Sequence, residues 1–222
     1  MVAGGYRKVG DLPSAIPVFP LDGAVLLPFS ELPLRIFEPR YLNMVDDAMS
    51  GDRMIGMIQT RRGGPASRPK LERVGCAGRI TAYAETTDGK YLITLTGICR
   101  FETGGELIVQ TPYRQVRPAW GMFQADLEMD DEPEEFERQP FLGLLRRYLD
   151  ARGLGIEWDA IASAPAPALI NSLAMALPFD TAEKQALLEA PGLTERRAAL
   201  GALLEIDSAF DAGEDDEPKA LQ

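Results

Sequence analysis

The stretch from Arg73 to Glu102 constrains this chain more than any other, because Asp88-Gly89 separates two long runs of alternating apolar and polar residues. Asp-Gly between such runs signals a hairpin, since glycine readily supplies the positive φ of a tight turn. A two-residue turn there sets residue 87 opposite 90, so paired positions sum to 177. In that register one face carries Val74, Cys76, Ile80, Ala82, Ala84, Tyr91, Ile93, Leu95, Cys99 and Phe101. The other carries Arg79, Thr81, Glu85, Lys90, Thr94, Thr96 and Arg100, with Tyr83, Leu92 and Ile98 as exceptions. One core face and one wet face imply an antiparallel sheet.

The residues before the hairpin read as more β structure with one helix. Short apolar runs at 15–19 (AIPVF) and 32–37 (LPLRIF) are punctuated by Pro13, Pro17, Pro20, Pro28 and Pro33. Proline cannot donate to a ladder, so this density predicts edge strands and turns of a small barrel. Pro39 fits a first helical position, and Tyr41, Leu42, Val45 and Met49 follow at helical spacing until Gly51. RMIGMIQ (53–59) predicts a strand, and another falls near 113–117. Between them RRGGPASRPK (61–70) predicts an exposed, mobile basic loop.

Beyond residue 119 the composition turns acidic and then helical. Asp126, Glu128, Asp130, Asp131, Glu132, Glu134, Glu135 and Glu137 around Pro133 read as a solvated linker. Helices follow at 141–152, with Leu142, Leu145 and Leu149 on one face, then at 167–177, from Asp180 or Thr181, and from Thr194. The expected class is α+β: a β-rich subdomain over 1–118, an acidic linker and helical bundle over 119–210, and a disordered acidic tail over 211–222.

Composition excludes much chemistry. The sequence contains no histidine, which removes Ser-His-Asp and Cys-His sites and every histidine-bearing metal site. Cys76 and Cys99 are too few for a disulfide framework and read as small core residues. No phosphate-binding glycine motif is present. Of the five lysines, Lys8, Lys70, Lys90, Lys184 and Lys219, none is expected to be desolvated as a Ser–Lys dyad demands. The carboxylates of DDEPEE read as a solvated run, not a cation site. No catalytic residue, metal or cofactor is therefore expected.

Residues 1–118 carry 15 basic and 12 acidic residues, while 119–222 carry 8 and 22, within a net charge of −11. An acidic chain repels nucleic acid and anionic membranes, so neither is an expected partner. No run approaches membrane-spanning length and the N-terminus lacks a signal-like apolar segment, which predicts a cytoplasmic protein.

At IPVFPLDGAVLLPFSELPLRIFEPRYLNMV (16–45) the sequence resembles the start of the Lon protease N-terminal, or substrate-binding, domain. The resemblance continues through VGCAGRITAY (74–83), DGKYLITLTGICRF (88–101) and LPFDTAEKQALLEAPGLTERRAALGALLE (177–205). It implies a PUA-like pseudo-barrel plus a helical bundle, in a stand-alone form without ATPase or peptidase modules. It also implies polypeptide recognition; the expected role is that of an adaptor or regulator in protein quality control, binding polypeptide or a partner protein, with a monomer or weak homodimer as the expected state. The alternative from another class is a small hydrolase with an unrecognised carboxylate or Ser–Lys site. Within the motif, Arg35, Glu38, Pro39, Arg40 and Tyr41 read as structural, with Glu38 capping a helix and Arg40 pairing locally. Leu26, Leu27 and Phe29, with Met54, Met57, Arg61 and Arg62, form the candidate peptide-binding set, along a groove bounded by the 24–34 and 61–70 loops.

Overall fold

The computed structural model describes residues 5–128 and 136–214, with side chains described through Ile206. The protein is mixed α and β, with strands β1 (Ile16–Pro20), β2 (Glu31–Ile36), β3 (Met54–Arg61), β4 (Lys70–Glu85), β5 (Tyr91–Glu106) and β6 (Arg114–Ala119). Its helices are α1 (Pro39–Ser50), α2 (Arg138–Ala151), α3 (Trp158–Ser163), α4 (Ala166–Ala176), α5 (Thr181–Glu189) and α6 (Leu193–Glu214). The chain divides into two compact units: Met1–Asp130 with Asn171–Glu189, and Asp131–Ile170 with Ala190–Gln222. The division does not follow the compositional change at residue 119, because α5 belongs with the strands.

In the first unit the strand order is β2-β5-β4-β3-β1-β6, and β6 pairs with β5 as well, so the pairings return on themselves. β3 lies between two neighbours and is buried from Met54 through Gln59. β1 also has two neighbours despite Pro17 and Pro20, which overturns its expected edge position. The two partners divide it: β6 pairs with Ile16–Val18 and β3 with Val18–Pro20, so no proline must serve both sides. Pro33 does lie on an edge, in β2, which among the described residues pairs with β5 alone.

The hairpin forms, but in a different register. Thr86 N donates to Lys90 O at 2.8 Å and Gly89 has φ 71°, giving a three-residue loop, Thr87–Gly89. Ala84 then pairs with Leu92 and Ala82 with Thr94, so the tip of β4 is inverted relative to expectation. Ala82 and Ala84 are exposed and Tyr91 is only half-buried. An irregularity between Ile80 and Ala82 restores Ile80 opposite Leu95 in the core. Further along, Cys99 opposes Ala77 and Cys76 opposes Arg100, so the thiols point to opposite faces of the hairpin instead of sharing one. Arg100, expected on the wet face, is 2% exposed because Asp126 neutralises it. Asp126 is thus no member of a solvated run; it sits in a 3-10 turn, Gly121–Leu127. Residues 129–135 of that run, including DDEPEE, lie outside the described residues.

Local sequence rules explain the helix ends. α1 starts at Pro39 and stops at Gly51, burying Tyr41, Met44, Val45 and Ala48. Glu38 makes no capping hydrogen bond; its carboxylate accepts from Arg40 Nε at 2.9 Å instead. Asp180 and Glu183 form reciprocal bonds of 2.8 and 2.7 Å at the start of α5. α5 is held to the strands by a polar network: Gln59 Nε2 donates to Thr181 O (2.9 Å) and Gln185 Oε1 (3.0 Å), and Gln185 Nε2 donates to Val74 O (3.1 Å).

In the second unit α2 packs against α6, burying Phe141, Leu144, Leu145, Tyr148 and Leu149. Leu142 is only half-buried. Helix α3 is too short for periodicity to reveal. The guanidinium of Arg138 donates to Ala162 O at 2.9 Å, satisfying a carbonyl at its C-terminal end. α6 runs on to Glu214, past the expected start of the disordered tail, and 215–222 lie outside the described residues.

Candidate recognition clefts

Arg61 and Lys70 are register partners at the ends of β3 and β4, and the 62–69 loop projects from them. Two clefts of the first unit flank this loop. One, of about 290 Å³, is walled by Tyr41, Tyr113, Pro20, Pro69 and Pro112, with Ala66 and Ser67 of the loop at its side. Tyr41 packs edge-on against Phe19 with ring centroids 4.3 Å apart, and the Arg40 guanidinium lies 4.5 Å over its ring. Burial raises the Tyr41 pKa. The Tyr113 hydroxyl donates to Asp47 Oδ2 at 2.6 Å; burial, with that bond, pushes its pKa up to about 12. Both phenols therefore stay neutral, giving the cleft firm, amphipathic walls.

The second cleft, of about 310 Å³, is lined by Arg61, Arg68, Lys70, Arg114 and Glu106 among others. Arg114 borders both clefts and fixes the loop between them. It grips Glu106 through Nε–Oε1 and Nη2–Oε2, each at 2.9 Å, and donates from Nη1 to Pro69 O at 2.8 Å. Arg68 pairs with the same carboxylate. The bond from Arg114 holds the Glu106 pKa below its ordinary value against partial burial, and Arg68 adds to the effect. At the other side Asp22 accepts from Thr60 N and Oγ1 at 2.7 and 2.9 Å.

The candidate peptide-binding residues separate into two groups. Leu26 and Leu27 are 0% exposed, with Met57 at 1% and Met54 at 2%, so all four are core; Met54 alone also touches a cleft, a separate one shared with Ile16, Asp47 and Tyr113. The 24–30 segment is wedged into the sheet: Phe29 N donates to Gly97 O at 2.9 Å, and Gly97 N to Ser30 O at 2.8 Å. A methyl on Gly97 would lie 2.0 Å from Leu27 O, and one on Gly78 would lie 2.5 Å from Leu26 Cδ2. The Gly78–Gly97 cross-strand pair thus makes the notch that holds the segment. Phe29 is half-buried at φ 61°, a conformation that costs a non-glycine residue free energy. Arg61 and Arg62 are exposed, and Arg61 borders the second cleft. Arg35 lies at the surface, 3.8 Å from Asp88. The sequence reading missed Tyr113, Arg114 and Glu106. In the sequence Tyr113 and Arg114 read only as part of a strand, with nothing local to mark a cleft.

Lys184, expected to be solvated, is 7% exposed, and desolvation lowers its pKa. Its Nζ donates to Met175 O at 2.9 Å, placing a cation at the C-terminal end of α4, whose last turn has no basic residue of its own. That contact accounts for the lysine structurally. Among the described residues no group of three or more Cys, Asp or Glu side chains could hold a metal ion, and no helix is long and apolar enough to cross a membrane.

A family model described as the ATP-dependent protease La (LON) substrate-binding domain matches residues 15–205. Lon protease of Syntrophus aciditrophicus is 31% identical over 115 residues, covering 50% of this chain and 14% of the relative. Lon protease of Flavobacterium johnsoniae is 25% identical over 198 residues, covering 84% of this chain and 23% of the relative. The chain thus matches under a quarter of the length of these proteases. Among solved structures, a Lon N-terminal domain protein from Xanthomonas campestris superposes with a TM-score of 0.62 at 24% identity, covering 86% of this chain and 98% of that one. The fold, the order of its motifs and a match spanning residues 15–205 place this chain in the Lon substrate-binding domain family.

Proposed function

We propose that the chain is a non-catalytic module that binds unfolded or extended polypeptide beside the 61–70 loop, serving as an adaptor or regulator in protein quality control. The observation that carries this reading is the cleft walled by Tyr41, Tyr113 and three prolines. Aromatic and proline walls suit an extended peptide, and a cleft of this size takes a few side chains rather than a folded surface. The self-closing strand order supports a PUA-like pseudo-barrel as the scaffold. Recognition is assigned to the strand-bearing part, which holds the expected 1–118 subdomain together with α5. Action in the cytoplasm, as a monomer or weak homodimer and without nucleic acid or membrane partners, completes the reading. The hydrolase alternative has no support from Lys184, whose ammonium is committed to a helix terminus.

Ser67→Trp tests the site. Ser67 is exposed and borders the cleft, so an indole there fills the space without disturbing the core. Purified wild-type protein should retain a reduced, carboxymethylated model polypeptide and not its folded parent. The variant should lose that retention while its melting temperature stays within a few degrees. Equal retention by both would remove the cleft from the binding site. Hydrolysis of casein or ATP that survives repurification would overturn the non-catalytic assignment.

A further inference from the structure

We infer that the second cleft selects acidic segments of the bound polypeptide, a refinement that rests on the recognition role proposed above. Among the described residues four basic side chains, Arg61, Arg68, Lys70 and Arg114, border it against the single carboxylate of Glu106. Glu106 is already shared by Arg68 and Arg114. Arg61 and Lys70 stand directly opposite one another across β3 and β4, an arrangement in which like charges repel. Among the described residues neither has a carboxylate partner; Arg61 Nε donates only to Leu71 O, at 3.0 Å. Such a pair, held in place by the backbone ladder, is relieved when a carboxylate arrives between its members. The imbalance is local, in a chain whose net charge is −11, so it is not a by-product of a basic protein.

Aspartate and glutamate side chains on an extended peptide match this chemistry. The cleft adjoins the tyrosine-walled one through Arg114 and Pro69, so a single peptide can place apolar residues in one and acidic residues in the other. Single-stranded nucleic acid is the poorer occupant. Among the described residues no aromatic side chain lines the second cleft to stack a base, and the chain's overall charge opposes a long polyanion.

The test is fluorescence anisotropy with the full chain and three dye-labelled probes: a Glu/Asp-rich extended peptide interleaved with Val and Tyr, its Gln/Asn counterpart, and a single-stranded oligonucleotide. The acidic peptide should bind about tenfold more tightly than the neutral one at low salt, and the gap should narrow as salt rises. Arg61→Glu with Lys70→Glu should abolish the preference while the neutral peptide still binds; Lys90→Glu, at the hairpin tip, should not. If the double reversal lowers the melting temperature, Arg61→Gln with Lys70→Gln replaces it, with the same expectation. Equal affinity for both peptides, or a preference that survives the substitutions, overturns the acidic selection but leaves the recognition role standing. Stronger binding of the oligonucleotide than of either peptide overturns it in favour of nucleic acid. Failure to bind any peptide overturns both readings.

Discussion

Arg100 and Asp126 form a bidentate ion pair almost wholly withdrawn from water, their side chains 3% and 9% exposed. Arg100 Nε donates to Oδ2 at 2.8 Å and Nη2 to Oδ1 at 2.7 Å, while its backbone N–H also donates to Oδ2 at 2.9 Å. The remaining Nη1 reaches Leu188 O at 3.0 Å at the end of α5, and the guanidinium carbon lies 4.4 Å from the Phe123 ring centroid. One side chain thereby joins β5, the 3-10 turn and α5. Removing only one charge should be costly, because the other stays buried. Asp126→Asn should lower stability by about 3–5 kcal/mol in chemical denaturation. Arg100→Met with Asp126→Leu should cost less than the two single changes added together. A loss below about 1 kcal/mol for Asp126→Asn would show that water reaches the pair.

Gly97→Ala tests the seat of the 24–30 segment. The added methyl meets Leu27 O at 2.0 Å, and backbone cannot swing aside as a flexible side chain can. A cost of about 3 kcal/mol or more is expected, read as a fall of about 6–12 °C in Tm for a chain of this size. Leu27→Ala removes a 0%-exposed side chain and should cost about 2–5 kcal/mol. Near-native melting of Leu27→Ala would return this segment to the candidate surface.

Glu106 sets an acid limb of stability. Its folded pKa lies below its ordinary 4.5, so its ion pairs contribute fully above that value and are lost as pH falls through the folded pKa. Wild-type Tm should therefore drop more steeply below about pH 4.5 than that of Glu106→Gln, and the gap between the two should narrow with acid. Parallel curves from pH 3 to 7 would contradict this assignment.

Both thiols should be silent in the native state. Cys76 and Cys99 are 0% exposed, and burial pushes the Cys99 pKa up. The Cys99 thiol lies 3.2 Å from Phe123 O, an oriented and poorly nucleophilic position. A thiol reagent should label neither cysteine in the native protein and both after unfolding in denaturant, counted by mass spectrometry. Rapid native labelling at either site would reveal opening of the hairpin.

Much of the secondary structure was legible because its causes are local. Pro39 and Gly51 bound α1, Asp180 and Glu183 start α5, and apolar alternation marks β4 and β5, all within a few residues. The proposed recognition surface was half legible. The 61–70 loop declares itself by its arginines, glycines and prolines, but Leu26-Leu27 is equally consistent with a surface or a core. Apolarity says that a residue wants shelter without saying what supplies it.

The sequence by itself determined the α+β class, the order of most elements, the absence of histidine chemistry and the family to which the chain belongs. Only the tertiary structure decided the hairpin register, the burial of Arg100 and Lys184, and the pairing of two clefts around one loop. Strand register answers to the whole sheet, and one three-residue turn inverts the tip of β4. A charge can be buried only where a partner arrives, and Asp126 arrives from 26 residues away through a 3-10 turn that composition disguises as linker. Local rules reach about one turn of helix or one hairpin; the groups that fix this site meet across the sheet.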